Sequence, residues 1–178
     1  LAIPLRRVRP LLIVVTAFTV AHSITLVSAA AGFVPDALWF PPLVESLIAL
    51  SIVYMAVENI VGAFAGTPFN PLGSPLGEAW RKRWITAFVF GLIHGFGFSF
   101  ALRDSLQFAG EHLVTSLVSF NLGVEIGQVA VLLLLAPILR FLFHYVVDRR
   151  IGAIVLSALI AHTGWHWLLE RLQVLRQY

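Results

Sequence analysis

Long apolar runs separated by short polar, Pro-rich or Gly-rich breaks dominate the chain. Five of them reach the length of about 20 residues that crosses roughly 30 Å of hydrocarbon. They predict transmembrane helices near 11–32, 43–65, 84–106, 113–138 and 151–170, within one transmembrane domain over 1–178. The breaks hold Val34-Pro35-Asp36, Pro41-Pro42 and the run Thr67-Pro68-Phe69-Asn70-Pro71-Leu72-Gly73-Ser74-Pro75. Prolines lack the N–H a helix interior needs, so these segments are expected to stop helices. The predicted fold class is all-α, a polytopic integral membrane helical bundle, with no internal repeat and no second domain.

Composition removes the soluble alternative. Hydrophobic residues make up 59% of the 178 positions and charged ones 12%, about half the share of an ordinary soluble domain. With 14 Phe, 5 Trp and a single Lys, there is too little polar surface to coat a water-soluble globule. The absence of Cys excludes disulfides, thiolate metal sites and Cys nucleophiles. The lipid bilayer is therefore the first expected partner.

The net charge of +3 does not point to nucleic acid, because the basic residues cluster between spans and line no face. Arg6, Arg7, Arg9, Arg81, Lys82, Arg83, Arg140, Arg149 and Arg150 fall on one predicted side, and Arg103, Arg171 and Arg176 on the other. The positive-inside rule then sets the start of the chain in the cytoplasm and its C-terminus outside. Trp39, Trp80, Trp84 and Trp167 fall near the predicted interfaces. No signal-peptide pattern precedes the first span, and the chain opens on Leu1, so a processed product or a missing N-terminal piece is expected.

Polar residues inside the spans carry the candidate chemistry, since an ionisable side chain at the bilayer centre costs a few kcal/mol (~2.5–3.5) on insertion scales. His22 lies mid-way in the first span, with Thr19 and Ser23 beside it, and His94 lies in the third within Gly91-Leu92-Ile93-His94-Gly95. In the fourth, spacings of four and three put Asn121, Glu125 and Gln128 on one helical stripe. The fifth carries His162 and His166 at i, i+4, so both imidazoles can face one ion. Glu45 and Glu58 lie toward the two ends of the second span. His22, His94, Glu125 and His162 fall at similar depth on four helices, which a bundle interior can gather. Imidazoles with a carboxylate and neutral oxygens suit a borderline divalent ion such as Ni²⁺, Co²⁺ or Zn²⁺, and hard ions want more oxygen. The plain alternatives are an imidazole bonded to a nearby carbonyl, a neutral Glu125 gluing helices, and His166 as an interfacial belt residue. His112 and His144 read as loop or interface residues. Gly91 with Gly95, and Gly123 with Gly127, form small-xxx-small faces that let helices approach closely.

Four stretches together resemble the HupE/UreJ family of hydrogenase- and urease-associated membrane proteins. They are Thr16-Ala17-Phe18-Thr19-Val20-Ala21-His22-Ser23-Ile24-Thr25-Leu26, Val44-Glu45-Ser46-Leu47-Ile48-Ala49-Leu50-Ser51-Ile52, Phe90-Gly91-Leu92-Ile93-His94-Gly95-Phe96-Gly97-Phe98 and Phe120-Asn121-Leu122-Gly123-Val124-Glu125-Ile126-Gly127-Gln128. The resemblance implies nickel or cobalt as cargo, and His22, Glu45, His94, Asn121, Glu125 and Gln128 as motif positions. It also implies a bacterial inner membrane. Family members usually begin with a helix pair bearing a His-x-x-x-Gly-x-Asp-His type motif, which does not occur in this sequence.

The first functional expectation is a permease or carrier for a divalent transition metal, nickel or cobalt before zinc, needing no resident cofactor. Its metal-contacting set is His22, His94, Asn121, Glu125, Gln128, His162 and His166, with Ser23, Glu45 and Glu58 as further polar positions. One alternative is a zinc-dependent intramembrane hydrolase built on His162 and His166, for which the chain offers no Gly-x-Ser-x-Gly elbow. Another is an accessory subunit of a larger membrane complex, or a homo-oligomer. A nucleotide site is not expected, since no Gly-x-x-x-x-Gly-Lys motif is present.

Overall fold

A computed structural model describes residues 8–65, 78–106 and 112–178. They form five α-helices and, among the described residues, no strand: α1 (Val8–Ala30), α2 (Phe40–Phe64), α3 (Glu78–Leu106), α4 (Leu113–Tyr145) and α5 (Arg149–Leu175). Four of the helices are long and apolar enough to cross a membrane, over Leu12–Ala30, Phe40–Phe64, Val114–Tyr145 and Arg149–Leu175. The fifth, α3, has 29 residues and corresponds to the third expected span, with charged residues at both ends. The molecule is an integral membrane protein. The Pro- and Gly-rich run at 67–75, with Arg6 and Arg7, lies outside the described residues.

Several helix ends differ from the expected boundaries, each for a local reason. α1 stops at Ala30 because Gly32 takes φ 81°, with Gly32 N–H donating to Ala29 O at 3.1 Å and Phe33 N–H to Ser28 O at 2.9 Å. This left-handed glycine cap satisfies carbonyls the helix would otherwise leave open. Pro41 and Pro42 do not stop a helix but open α2, where the first turn has no N–H to lose. α3 starts at Glu78, so Arg81, Lys82 and Arg83 lie within the helix and not before it. α4 runs for 33 residues through Pro137 and includes Arg140, a length of about 50 Å at 1.5 Å per residue. Internal prolines are tolerated in membrane helices, where neighbouring groups take up the freed carbonyl. α5 begins at Arg149 because Asp148 caps it, its carboxylate accepting from Arg150 N–H at 2.9 Å and Ile151 N–H at 3.3 Å.

The chain divides into two compact units, Leu1–Ala37 with Pro71–Gln128 and Leu38–Asn70 with Val129–Tyr178, so that α4 contributes its first half to one and its second half to the other. In the first unit α1 packs on α3. A Cβ added at Gly91 would meet the Phe18 carbonyl and, at 2.9 Å, Ala21 Cβ, and one at Gly95 would meet Thr25 Oγ1 and the His22 carbonyl. Only glycine allows that approach of two backbones. The face of α1 turned inward holds Val15, Thr19, Ala21, His22, Thr25 and Leu26, whereas Val20, Ile24 and Val27 are exposed. Thr19, His22 and Thr25 thus turn away from the surface that Val20, Ile24 and Val27 present, the pattern of a helix whose solvent is lipid.

In the second unit α2 packs on α5. Gly164 lies against Ile52 and Val53, where an added Cβ would come within 3.1 and 3.2 Å of their Cγ2 atoms. The buried positions are mostly small: Ala49, Ser51, Ala56 and Ala63 on α2, with Gly152, Ala153 and Ser157 on α5. Small residues increase contact area between helices that lipid does not drive together.

Candidate functional site

Among the described residues, His22 is the largest polar side chain with no exposed surface, at 0% relative exposure. Three aromatic rings surround it. Phe18 is stacked at 6.1 Å between centroids, Phe98 of α3 meets it edge-on at 5.2 Å, and Phe120 of α4 is stacked at 6.3 Å. Helix spacing explains Phe18, one turn before His22 on the same face, and the Gly91 and Gly95 approach brings Phe98 within reach. Neither His22 Nδ1 nor Nε2 has a hydrogen-bond partner.

His94 shares Phe18 with it, the two rings meeting at 5.4 Å and 62°. Its Nδ1–H donates to the Phe90 carbonyl at 2.7 Å. A carbonyl only accepts, so the proton sits on Nδ1 and Nε2 keeps its lone pair as a ligand or proton acceptor. Thr25 Oγ–H shares itself between the Ala21 and His22 carbonyls at 3.3 and 3.2 Å, and Ser23 Oγ–H donates to Thr19 O at 2.7 Å. Those hydroxyls are satisfied within α1. Thr19 Oγ1, on the His22 face, is not.

On the first half of α4, Asn121 donates Nδ2–H to Leu117 O at 3.0 Å, leaving Oδ1 buried and unpartnered. Gln128 Oε1 is likewise buried and unpartnered, and Glu125 between them is half-buried. The first unit thus holds His22, His94, Asn121, Glu125 and Gln128, and with Thr19 it concentrates four residues with unsatisfied buried N or O atoms. Each such group forfeits about 1–3 kcal/mol relative to a bonded one. Natural proteins carry few, and they gather where polar atoms are needed for something other than stability.

The remaining sequence candidates belong to the second unit. His162 and His166 are exposed on α5, their rings 4.5 Å apart. Glu58 is exposed, and Glu45 is bound by Arg171 at 3.0 Å across the α2–α5 interface. Among the described residues, no three His, Asp or Glu side chains group closely enough to hold one ion. Of the four residues expected at one depth, His22, His94 and Glu125 belong to the first unit and His162 to the second. Equal depth along four helices sets height but not the direction each side chain faces.

Sequence reasoning missed the aromatic wall of Phe18, Phe98 and Phe120 and the role of Arg171, which read only as a topology charge. The signal was present at Phe18 and His22, and again at His94 and Phe98, in the i, i+4 spacing of an aromatic beside each imidazole.

No curated protein and no solved structure matches the chain. Residues 1–171 match the family described as HupE / UreJ protein, a span that takes in the His22, Glu45, His94 and Glu125 stretches alike. With nearly its whole length covered, the chain belongs to the HupE/UreJ family.

Proposed function

We propose that the protein is a permease or carrier for a divalent transition metal ion, nickel or cobalt before zinc. Its setting is a bacterial inner membrane, with the start of the chain cytoplasmic and the C-terminus outside. The observation that carries this reading is His22, an imidazole with no exposed surface and both nitrogens open inside a membrane helix. A buried polar group kept only for stability would be bonded, as the Thr25 hydroxyl is within α1. Membership of a family associated with nickel and cobalt handling supplies the cargo class.

The polar route is built from His22, His94, Asn121, Glu125 and Gln128. His94 Nε2 and the unprotonated nitrogen of His22 each offer a lone pair, and the Asn121 and Gln128 carbonyl oxygens offer neutral acceptors. Glu125 supplies negative charge to offset the ion. With no group of three ionisable ligands among the described residues, each point on the route binds loosely. Passage requires sites weak enough to leave as well as to enter. Protonation of the imidazoles releases the ion and couples its movement to protons. A zinc hydrolase needs three protein ligands and an open position, and such a group is absent among the described residues.

The test is uptake of radiolabelled nickel and cobalt into vesicles containing the protein. His94→Ala and Glu125→Gln are expected to abolish accumulation while the protein remains folded in the membrane. Wild-type uptake in both variants would remove the carrier reading.

A further inference from the structure

His162 and His166 stand one turn apart on α5, both exposed, with ring centroids 4.5 Å apart and planes crossing at 76°. The surrounding face is apolar or aromatic, with Leu159, Trp165 and Leu169 exposed beside them. Thr163, between the two, turns its hydroxyl back to the Leu159 carbonyl at 3.1 Å and offers them nothing. Glu170, one further turn along, is exposed on the same stripe, because positions i, i+4 and i+8 drift by only about 40° per step.

This placement is costly for a membrane helix. Ionisable side chains at depth avoid lipid and turn toward a cavity or a partner, yet these two sit on an outward face of a helix long and apolar enough to cross. One such imidazole is unremarkable near an interface. Two that stand one turn apart, with ring centroids 4.5 Å from each other, are close enough to share one ion. Zinc-family ions bind imidazole at about 2.0–2.1 Å, so a shared ion needs the two nitrogens only some ~3.3 Å apart.

We propose that His162 and His166 form a separate two-imidazole site on the exposed face of α5 for a divalent ion of borderline softness such as Ni²⁺, Co²⁺, Cu²⁺ or Zn²⁺. The remaining coordination positions stay open to exchangeable ligands, and the Glu170 carboxylate one turn on adds favourable charge. Glu170 does not close a three-ligand group, so the ion exchanges readily, as suits capture and not storage. The site lies in a different unit from His22 and His94 and exists whether or not the protein carries ions across the membrane.

The test is binding of Cu²⁺ and Ni²⁺ to the untagged full chain in detergent, read by copper electron paramagnetic resonance and by calorimetry with Ni²⁺. The wild type is expected to show a copper signal with two coordinated imidazoles. Each of His162→Ala, His166→Ala and His166→Gln should weaken the binding step at least about tenfold, or ~1.4 kcal/mol. His162→Ala/His166→Ala should remove it, and His144→Ala should keep it. The step should also survive in His22→Ala/His94→Ala, which separates this site from the carrier route. A two-imidazole signal unchanged in the His162→Ala/His166→Ala protein but lost in His22→Ala/His94→Ala, or lost equally in His144→Ala, would overturn the proposal.

Discussion

Both helix pairs close on small residues, α1 on α3 through Gly91 and Gly95 and α2 on α5 through Gly164, yet they treat buried polar atoms in opposite ways. In the α2–α5 pair, Ser46 and Ser51 donate to the Pro42 and Ile48 carbonyls at 2.7 Å, and Glu45 is held by Arg171. The buried unpartnered atom there, among the described residues, is Arg171 Nε, on a guanidinium already engaged through Nη1. In the unit built on α1 and α3, Thr19, His22, Asn121 and Gln128 all carry open atoms. The contrast separates two uses of polarity in a membrane. In one pair it is satisfied, by carbonyls within α2 or by the Glu45–Arg171 contact between helices. In the other it is held ready at the expense of stability.

Steric closeness gives the largest way to test the comparison. Gly95→Leu would force a branched side chain into Thr25 and the His22 carbonyl, where backbone must move. Overpacking of this kind costs typically about 1–3 kcal/mol and more where main chain is the obstacle. Detergent-solubilised protein should melt well below wild type or fail to accumulate. Gly123→Leu, with nothing within 4 Å of an added Cβ, should leave the melting temperature within experimental scatter. Equal losses for both would mean that the Gly91 and Gly95 approach does not set the α1–α3 packing.

A smaller effect is expected at the Glu45–Arg171 pair. Both side chains are about a third exposed, at 37% and 34%, so water screens them and the pair contributes on the order of 0.2–1 kcal/mol. Glu45→Gln should lower thermal stability slightly, with the loss shrinking as salt is raised. Loss of fold in this variant would mean that the α2–α5 unit depends on charge more than on small-residue packing.

Much of the architecture was legible in the sequence, because apolar run length and hydrocarbon thickness are the same physical quantity. All five helices and the His22, His94 and Glu125 stripes follow from it. Helix ends were less legible: Pro41 and Pro42 look identical as breakers and as openers until the chain direction of the first turn is known. The site was half legible. Polar residues within apolar runs stand out, and Gly91 with Gly95 announces a close helix contact. The sequence does not say which way a side chain faces around its axis, so His22 and His162 read alike, although one is enclosed by Phe18, Phe98 and Phe120 and the other is exposed. The same limit made Gly123 and Gly127 look like a second close contact, whereas both face open space.

Replacing His22 by Phe tests the central claim most directly, with thermal unfolding and nickel uptake measured on the same preparation. A ring of similar shape within an aromatic wall removes two unpartnered nitrogens without leaving a polar group behind, a change that is neutral or stabilising. The expected result for His22→Phe is a melting temperature equal to or above wild type together with lost uptake. A destabilised protein that still accumulates nickel would contradict the account, because His22 would then be a packing residue with no part in the ion route.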